Sequence, residues 1–208
     1  LKRVFPSMLE DMPNIARQDT EIALFEFTGT ESKNEIEFCW QEIKLTTQNR
    51  VNEVSAVLLW SQDAILTFVN KILSLEGIEP WIRVNDGFGR PNYNILNFYL
   101  NSKGIPLMYV GNGYGSLTQA AQRNKVIIMT YHSAKGLDFD YVFLPMVNTE
   151  MAIANERPLL LVALSRSKAG LFISYTGNLY AGLKPFLSEV PVKSIVNNNT
   201  NGDIVLPF

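Results

Sequence analysis

Two polar clusters interrupt the apolar runs of this chain at places where chemistry could sit. The first follows Val126-Ile127-Ile128-Met129, a continuous apolar run of the kind that forms a strand covered on both faces. It places Thr130, His132, Ser133, Lys135 and Asp138 around a small-residue turn, Ala134 to Gly136, before Tyr141 to Leu144 resume the apolar pattern. His132 is the only histidine, and it stands where a buried strand delivers side chains to the crevice that open α/β sheets use for ligands. The second cluster is Ser165-Arg166-Ser167-Lys168, directly after the apolar segment Leu159 to Leu164. An arginine closing a buried helix is costly unless an anion or a set of acceptors meets it.

The two segments resemble motifs V and VI of superfamily 1 DNA helicases of the UvrD/Rep/PcrA type. The family pattern T-x-H-x-A-K-G-L-E-F is matched by Thr130, His132, Ala134, Lys135, Gly136, Leu137, Asp138 and Phe139. The pattern E-R-R-L-x-Y-V-A-x-T-R-A is matched by Glu156, Arg157, Leu159, Val162, Ala163 and Arg166. Order, spacing and the strand–loop–helix context agree, which short motifs seldom do by chance. The implied fold is α/β: a RecA-like (P-loop NTPase-like) three-layer domain with a mainly parallel β-sheet flanked by helices.

The resemblance also implies roles. Arg166 would be the finger that reaches the γ-phosphate of ATP bound between two RecA-like domains, where a planar, fixed cation suits accumulating charge. Gly136 would let backbone approach phosphates without a Cβ in the way, and Lys135 would neutralise charge or stand solvated. Asp138 occupies the place of a glutamate that accepts a hydrogen bond from the nucleotide ribose, with one methylene less reach. Thr130 and His132 would donate to the phosphates of single-stranded DNA, contacts that need no base identity. His132 is expected beside the nucleotide loop, where it could couple strand contact to hydrolysis. Glu156 and Arg157 would support the helix start. Pro158 and Leu161 replace the family's second arginine and its tyrosine, so the surrounding hydrogen bonds differ. ATP and Mg2+ would be cofactors of the full-length enzyme, held chiefly by an N-terminal RecA-like domain. This chain contains no G-x-x-x-x-G-K-[ST] segment, and it is expected to hydrolyse no ATP alone. The alternative is a helicase-like domain turned into a non-catalytic nucleic-acid-binding or protein-interaction module.

The elements that position these residues alternate between strand and helix. Strands are expected over 21–27, 55–60, 105–110, 126–129, 141–144 and 171–175, with a last strand or tail over 190–196. Helices are expected over 31–46, 63–75, 92–103, 159–164 and 178–187, the segment 159–164 buried on most sides. Alternation of this kind calls for a parallel sheet with right-handed crossovers. Asp86 to Pro91 is a turn cluster, and Gly111 to Ser116 reads as a solvent loop rather than a phosphate cradle. The forty or so residues from Asn85 to Asn124 are too few for the large accessory domain inserted here in big family members. Residues 1–20 read as a helix remnant and linker of an excised fragment, 21–196 as the domain, and 197–208 as a polar tail.

Composition sets the outer bounds. With 47% hydrophobic and 18% charged residues over 208 positions, the chain can bury one sizeable core. A net charge of −2 argues against a stand-alone domain that neutralises many phosphates, though not against a few directed contacts. Cys39, the single cysteine, excludes an internal disulfide. No run of about eighteen apolar residues and no signal peptide is present, so a cytoplasmic address is expected.

Overall fold

The computed structural model describes residues 21–28, 33–50, 52–148, 157–188, 190 and 192–195. The expected helix remnant over 1–20, the tail over 197–208, and Asn155 and Glu156 lie outside these residues, as does the side chain of Arg157. In chain order the elements are β1 (Glu21–Phe27), α1 (Lys33–Asn49), β2 (Ser55–Leu59), α2 (Gln62–Leu75), α3 (Tyr93–Ser102), β3 (Leu107–Tyr109) and α4 (Leu117–Gln122). There follow β4 (Val126–Thr130), β5 (Phe139–Leu144), α5 (Arg157–Leu164), β6 (Ser167–Thr176), a 3-10 helix (Ala181–Ser188) and β7 (Val192–Ile195).

The seven strands make one sheet in the order β3-β4-β2-β5-β6-β1-β7, and every neighbouring pair is parallel. Alternate side chains feed two cores, as strand geometry requires. From β2 and β4, Val57, Leu59, Val126 and Ile128 face one core with Ile36, Trp40, Phe68 and Leu96 of α1, α2 and α3. Ala56, Leu58, Ile127 and Met129 face the other, with Ala120 of α4, Leu160 and Ala163 of α5, and Leu183 of the 3-10 helix. The result is the expected three-layer α/β arrangement.

Local departures have local causes. Helix α2 starts at a Ser61 cap whose side chain accepts from Ala64 N, and α3 starts at Asn92, which accepts from Asn94 N and Ile95 N. The short α4 was not expected, because six residues are too few for an apolar period to show. The segment expected as a helix over 178–187 is a 3-10 helix, and β6 begins at Ser167 rather than at Leu171. Helix α5 is not buried on most sides: Leu160, Ala163 and Leu164 are buried, while Leu159, Leu161 and Val162 are only half-buried. No helix among the described residues is long and apolar enough to cross a membrane.

One carboxylate ties α1 to the sheet. Glu35, in the first turn of α1 and fully buried, accepts from Met146 N at 2.6 Å, Ser174 Oγ at 2.7 Å and Thr176 Oγ1 at 2.6 Å. These donors lie just beyond β5 and at the end of β6, so α1 is pinned across both. Burial raises the Glu35 carboxyl above its ordinary range, against the opposing effect of its three donors.

Glu42, one helical stretch further along α1, lacks such a cage. Burial pushes its carboxyl up to about 7, against the attraction of Lys193 on β7. A carboxyl raised on folding contributes stability that is full below its unfolded value near 4.5 and is lost as pH rises through about 7. Glu42→Gln should therefore leave the melting temperature unchanged at pH 4 and raise it at pH 8 by roughly 2–4 °C, the shift of about 1 kcal/mol in a chain of this size. Thermal unfolding of both forms at the two pH values checks this, and an equal shift at both would mean that charge is not the cause.

Candidate functional site

The residues singled out from sequence fall at two opposite edges of the sheet. Thr130 lies beside Leu59 at the edge where strands end. Phe139 pairs with Ser167 at the edge where strands begin, which puts Asp138 and Arg166 there too. The connection 131–138 crosses the sheet face between them, with Tyr131 and Ala134 buried in the α5-side core. His132 thus leaves the connection at the edge opposite Asp138 and Arg166, with Lys135 and Gly136 on the turn between.

At the strand-end edge, Thr130 is turned inward. Its Oγ1 accepts from Ser133 N at 3.2 Å and lies 3.1 Å from Ser133 Oγ, while its carbonyl accepts from Ala134 N. It thus caps the turn 131–136, a local use of a hydroxyl that competes well with longer-range contacts. His132 is exposed on the same turn, as are Lys135 and Gly136, the latter at φ +81°. Ser133, named in the polar cluster but given no role there, abuts the Thr130 hydroxyl and lies against the next loop.

That next loop is Gly111 to Ser116, solvent-facing as expected, with Asn112, Gly113 and Gly115 exposed, and it also touches the edge. A Cβ on Gly111 would lie 2.8 Å from Ser133 Oγ, so the two turns touch. Tyr114 OH donates to Asp86 Oδ2 at 2.9 Å, joining the loop to the 85–91 turn. Asp86 in turn accepts from Phe88 N and Arg90 N. Beneath it Tyr93 and Tyr109 stack at 3.6 Å and 12°, and burial pushes the Tyr109 hydroxyl up to about 12, keeping it a neutral acceptor for Asn112 Nδ2.

At the strand-start edge, Arg166 is held by its own domain. Nε donates to Val162 O at 3.0 Å, Nη1 to Leu137 O at 2.9 Å, and Nη2 to Ser165 Oγ at 2.8 Å. Asp138 Oδ1 stands 3.6 Å from Nη1, with the arginine side chain 18% exposed and the aspartate 37% exposed. Ser165, which gives its own proton to Val162 O, is part of the second polar cluster but received no role from sequence. Its signal was present, since it takes the hydroxyl position of the T-R-A motif. Among the described residues no cluster of three His, Cys, Asp or Glu side chains could hold a metal ion.

Sheet order, layers and crossing loop define a RecA-like α/β domain. Residues 110–178 match the family model of the UvrD-like helicase C-terminal domain, a stretch that includes both motif segments. That stretch is therefore similar to the UvrD-like helicase C-terminal domain. Among solved structures, the C-terminal domain of a possible DNA helicase from Lactobacillus plantarum WCFS1 is similar at 17% identity over 88% of this chain and 89% of that one. The TM-score is 0.50, a likeness of fold. No curated protein matches the sequence significantly.

The strand-end loop makes a sharp contrast between two glycines. Gly113 (φ +82°) has open space at the Cβ position, whereas a Cβ on Gly115 (φ +69°) would collide with the carbonyl oxygen of Tyr109. Gly113→Ala should cost roughly 1–2 kcal/mol, the left-handed backbone penalty alone. Gly115→Ala should cost about 3 kcal/mol or more, because backbone must also move. Urea unfolding of both variants measures the difference, and equal losses would refute the rigid placement of this loop.

Proposed function

We propose that this chain is the second RecA-like domain of an ATP-dependent DNA helicase, supplying one wall of an ATP site and part of a single-stranded DNA track. The observation that carries the reading is the two-ended motif V connection, with Arg166 at one edge and His132 exposed at the other. In this reading Arg166 stabilises charge on the transferring phosphoryl group of ATP. Gly136 and Lys135, both exposed on the crossing turn, offer an open backbone and a cation to the nucleotide, and Asp138 completes that group. His132 meets the DNA backbone, and Thr130 holds the turn that presents it. The structural relative described as a possible DNA helicase domain agrees with this assignment.

ATP and Mg2+ belong to the two-domain enzyme. The lysine and amide cradle for the β- and γ-phosphates would come from the N-terminal RecA-like domain, the proposed protein partner. Those groups provide most ground-state binding, so the 208-residue chain alone is proposed to be inactive. A second reading, a non-catalytic interaction module, draws on the fact that every nitrogen of the Arg166 guanidinium already has an acceptor within the domain.

Two variants of the complete protein separate these readings. Arg166→Ala should lower kcat for ATP by roughly 10³-fold or more, the scale of a lost arginine finger, with a far smaller change in nucleotide affinity. Wild-type turnover in that variant would remove Arg166 from the mechanism, and absence of ATPase in the wild-type protein would favour the module. His132→Ala should lower DNA-stimulated ATPase while leaving the unstimulated rate within about twofold. Parallel loss of both rates together with a lower melting temperature would make His132 a structural residue.

A further inference from the structure

We infer that Asp138 acts as a positioning residue for Arg166, setting the plane of its guanidinium, and not as a ligand of the nucleotide ribose. The inference rests on the proposed ATP site and gives one of its residues a different task. Three observations carry it.

The first is that the pair is set by backbone, not by a chance rotamer. Phe139 N donates to Arg166 O at 2.9 Å, and Phe139 is in register with Ser167. Asp138 and Arg166 are thus neighbours across the start of a parallel strand pair. The second is how the guanidinium is shared out. Leu137 O and Asp138 Oδ1 both address Nη1, at 2.9 and 3.6 Å, while Val162 O and Ser165 Oγ hold the Nε and Nη2 side. Acceptors on both flanks fix a planar fork, and only Asp138 among them carries charge. At 18% exposure the cation is mostly withdrawn from water, so a neighbouring carboxylate counts for more than it would on an open surface.

The third observation is reach. An aspartate is one methylene shorter than the glutamate that the helicase pattern carries at this position. A carboxylate drawn in against its own domain's arginine is poorly placed to extend to a sugar outside it. A residue that orients a group for the transition state is felt in kcat, whereas one that holds the ribose is felt in KM and in the preference for a 2′-hydroxyl.

The test uses the complete protein, with ATP and 2′-deoxy-ATP as paired substrates, and compares Asp138→Asn and Asp138→Ala with wild type. Asparagine keeps an oxygen able to accept from a ribose hydroxyl but removes the charge beside Arg166. Both variants should lose about ten- to a hundredfold in kcat, the scale of a slightly misplaced catalytic group. KM should stay within about threefold, and the ATP to 2′-deoxy-ATP ratio should not change. Retained kcat with a raised KM, or a collapsed ratio in Asp138→Ala, would overturn the inference in favour of a ribose contact. A second measurement needs no turnover. In the 208-residue chain with 15N-labelled arginine, the Arg166 Nη–H signals, assigned with Arg166→Lys, should exchange with solvent about tenfold faster in Asp138→Asn. Unchanged exchange would show that Asp138 does not hold the group. Absence of ATPase in the wild-type complete protein would instead sink the helicase reading, leaving the exchange result to decide the pair.

Discussion

The structure depends on a geometric constraint: eight residues, 131–138, must carry the chain from the end of β4 back to the start of β5. Thr130 stands beside Leu59 and Tyr141 beside Ser55 on the intervening β2. Phe139 therefore begins level with Glu53, roughly 20 Å back along the strand direction at the usual rise per residue. The connection spends six residues, 131–136, in turns, which advance far less per residue than extended chain. Little slack is left. Thr130 fastens one end through Ser133, and Phe139 N on Arg166 O fastens the other. Buried Tyr131 and Ala134 glue the middle to the sheet. A segment that is short for its span and anchored at both ends transmits displacement rather than absorbing it. In the proposed enzyme this is the physical route by which an event at the strand-end edge reaches Arg166.

The remaining polar interactions keep the two edges stiff enough for that to matter. Glu35 holds the ends of β5 and β6 to α1 through three donors, and a carboxylate so deeply placed is expensive unless each donor is present. Asp140 does a similar job at the opposite edge, accepting from Val54 N at 2.8 Å and so fixing where β2 begins beside β5. Asn97 bridges α3 to β3 by accepting from Tyr109 N and donating to Tyr109 O. Each of these side chains satisfies backbone or hydroxyl groups that strand pairing leaves over. They tie helices to the sheet where apolar packing alone would permit sliding.

Much of this was legible in the sequence, and the part that was not has a common cause. The apolar runs of β2, β4 and β5 announce a buried parallel sheet, because strands covered on both faces need no alternation. The motif spacing marked Thr130, His132, Lys135, Gly136, Asp138 and Arg166 as a set. Spacing along a chain does not reveal which edge of a sheet a residue occupies, however, and the set is divided between two edges. That division follows from strand order, with β2 placed between β4 and β5, a long-range pairing with no local signature. Ser133 and Ser165 received no role from sequence for a related reason. A lone serine carries no periodicity, and its importance appears only once Gly111 or Arg166 is seen against it. The contacts of the Gly111–Ser116 loop are hidden in the same way, since they depend on Tyr109 and Asp86 from other elements.

In the proposed enzyme, the electrostatics of Arg166 bear on how a domain of net charge −2 would work against a polyphosphate. Non-specific attraction of phosphates requires a field of many cations, which this chain does not have. Stabilising a transition state requires a different thing, a few dipoles and one cation already fixed where charge will develop, so that no reorganisation is needed at the moment of reaction. Two carbonyl oxygens, a serine hydroxyl and a carboxylate around one guanidinium meet that second requirement. They also damp the arginine's long-range field, since Asp138 sits 3.6 Å from Nη1 and offsets much of its charge at a distance. Close in, at hydrogen-bond range, the orientation of the N–H groups still decides the interaction. A site built like this contributes little to the capture of an anion and most of its effect once the anion is held in contact by something else, which is the division of labour expected between two domains that share one nucleotide.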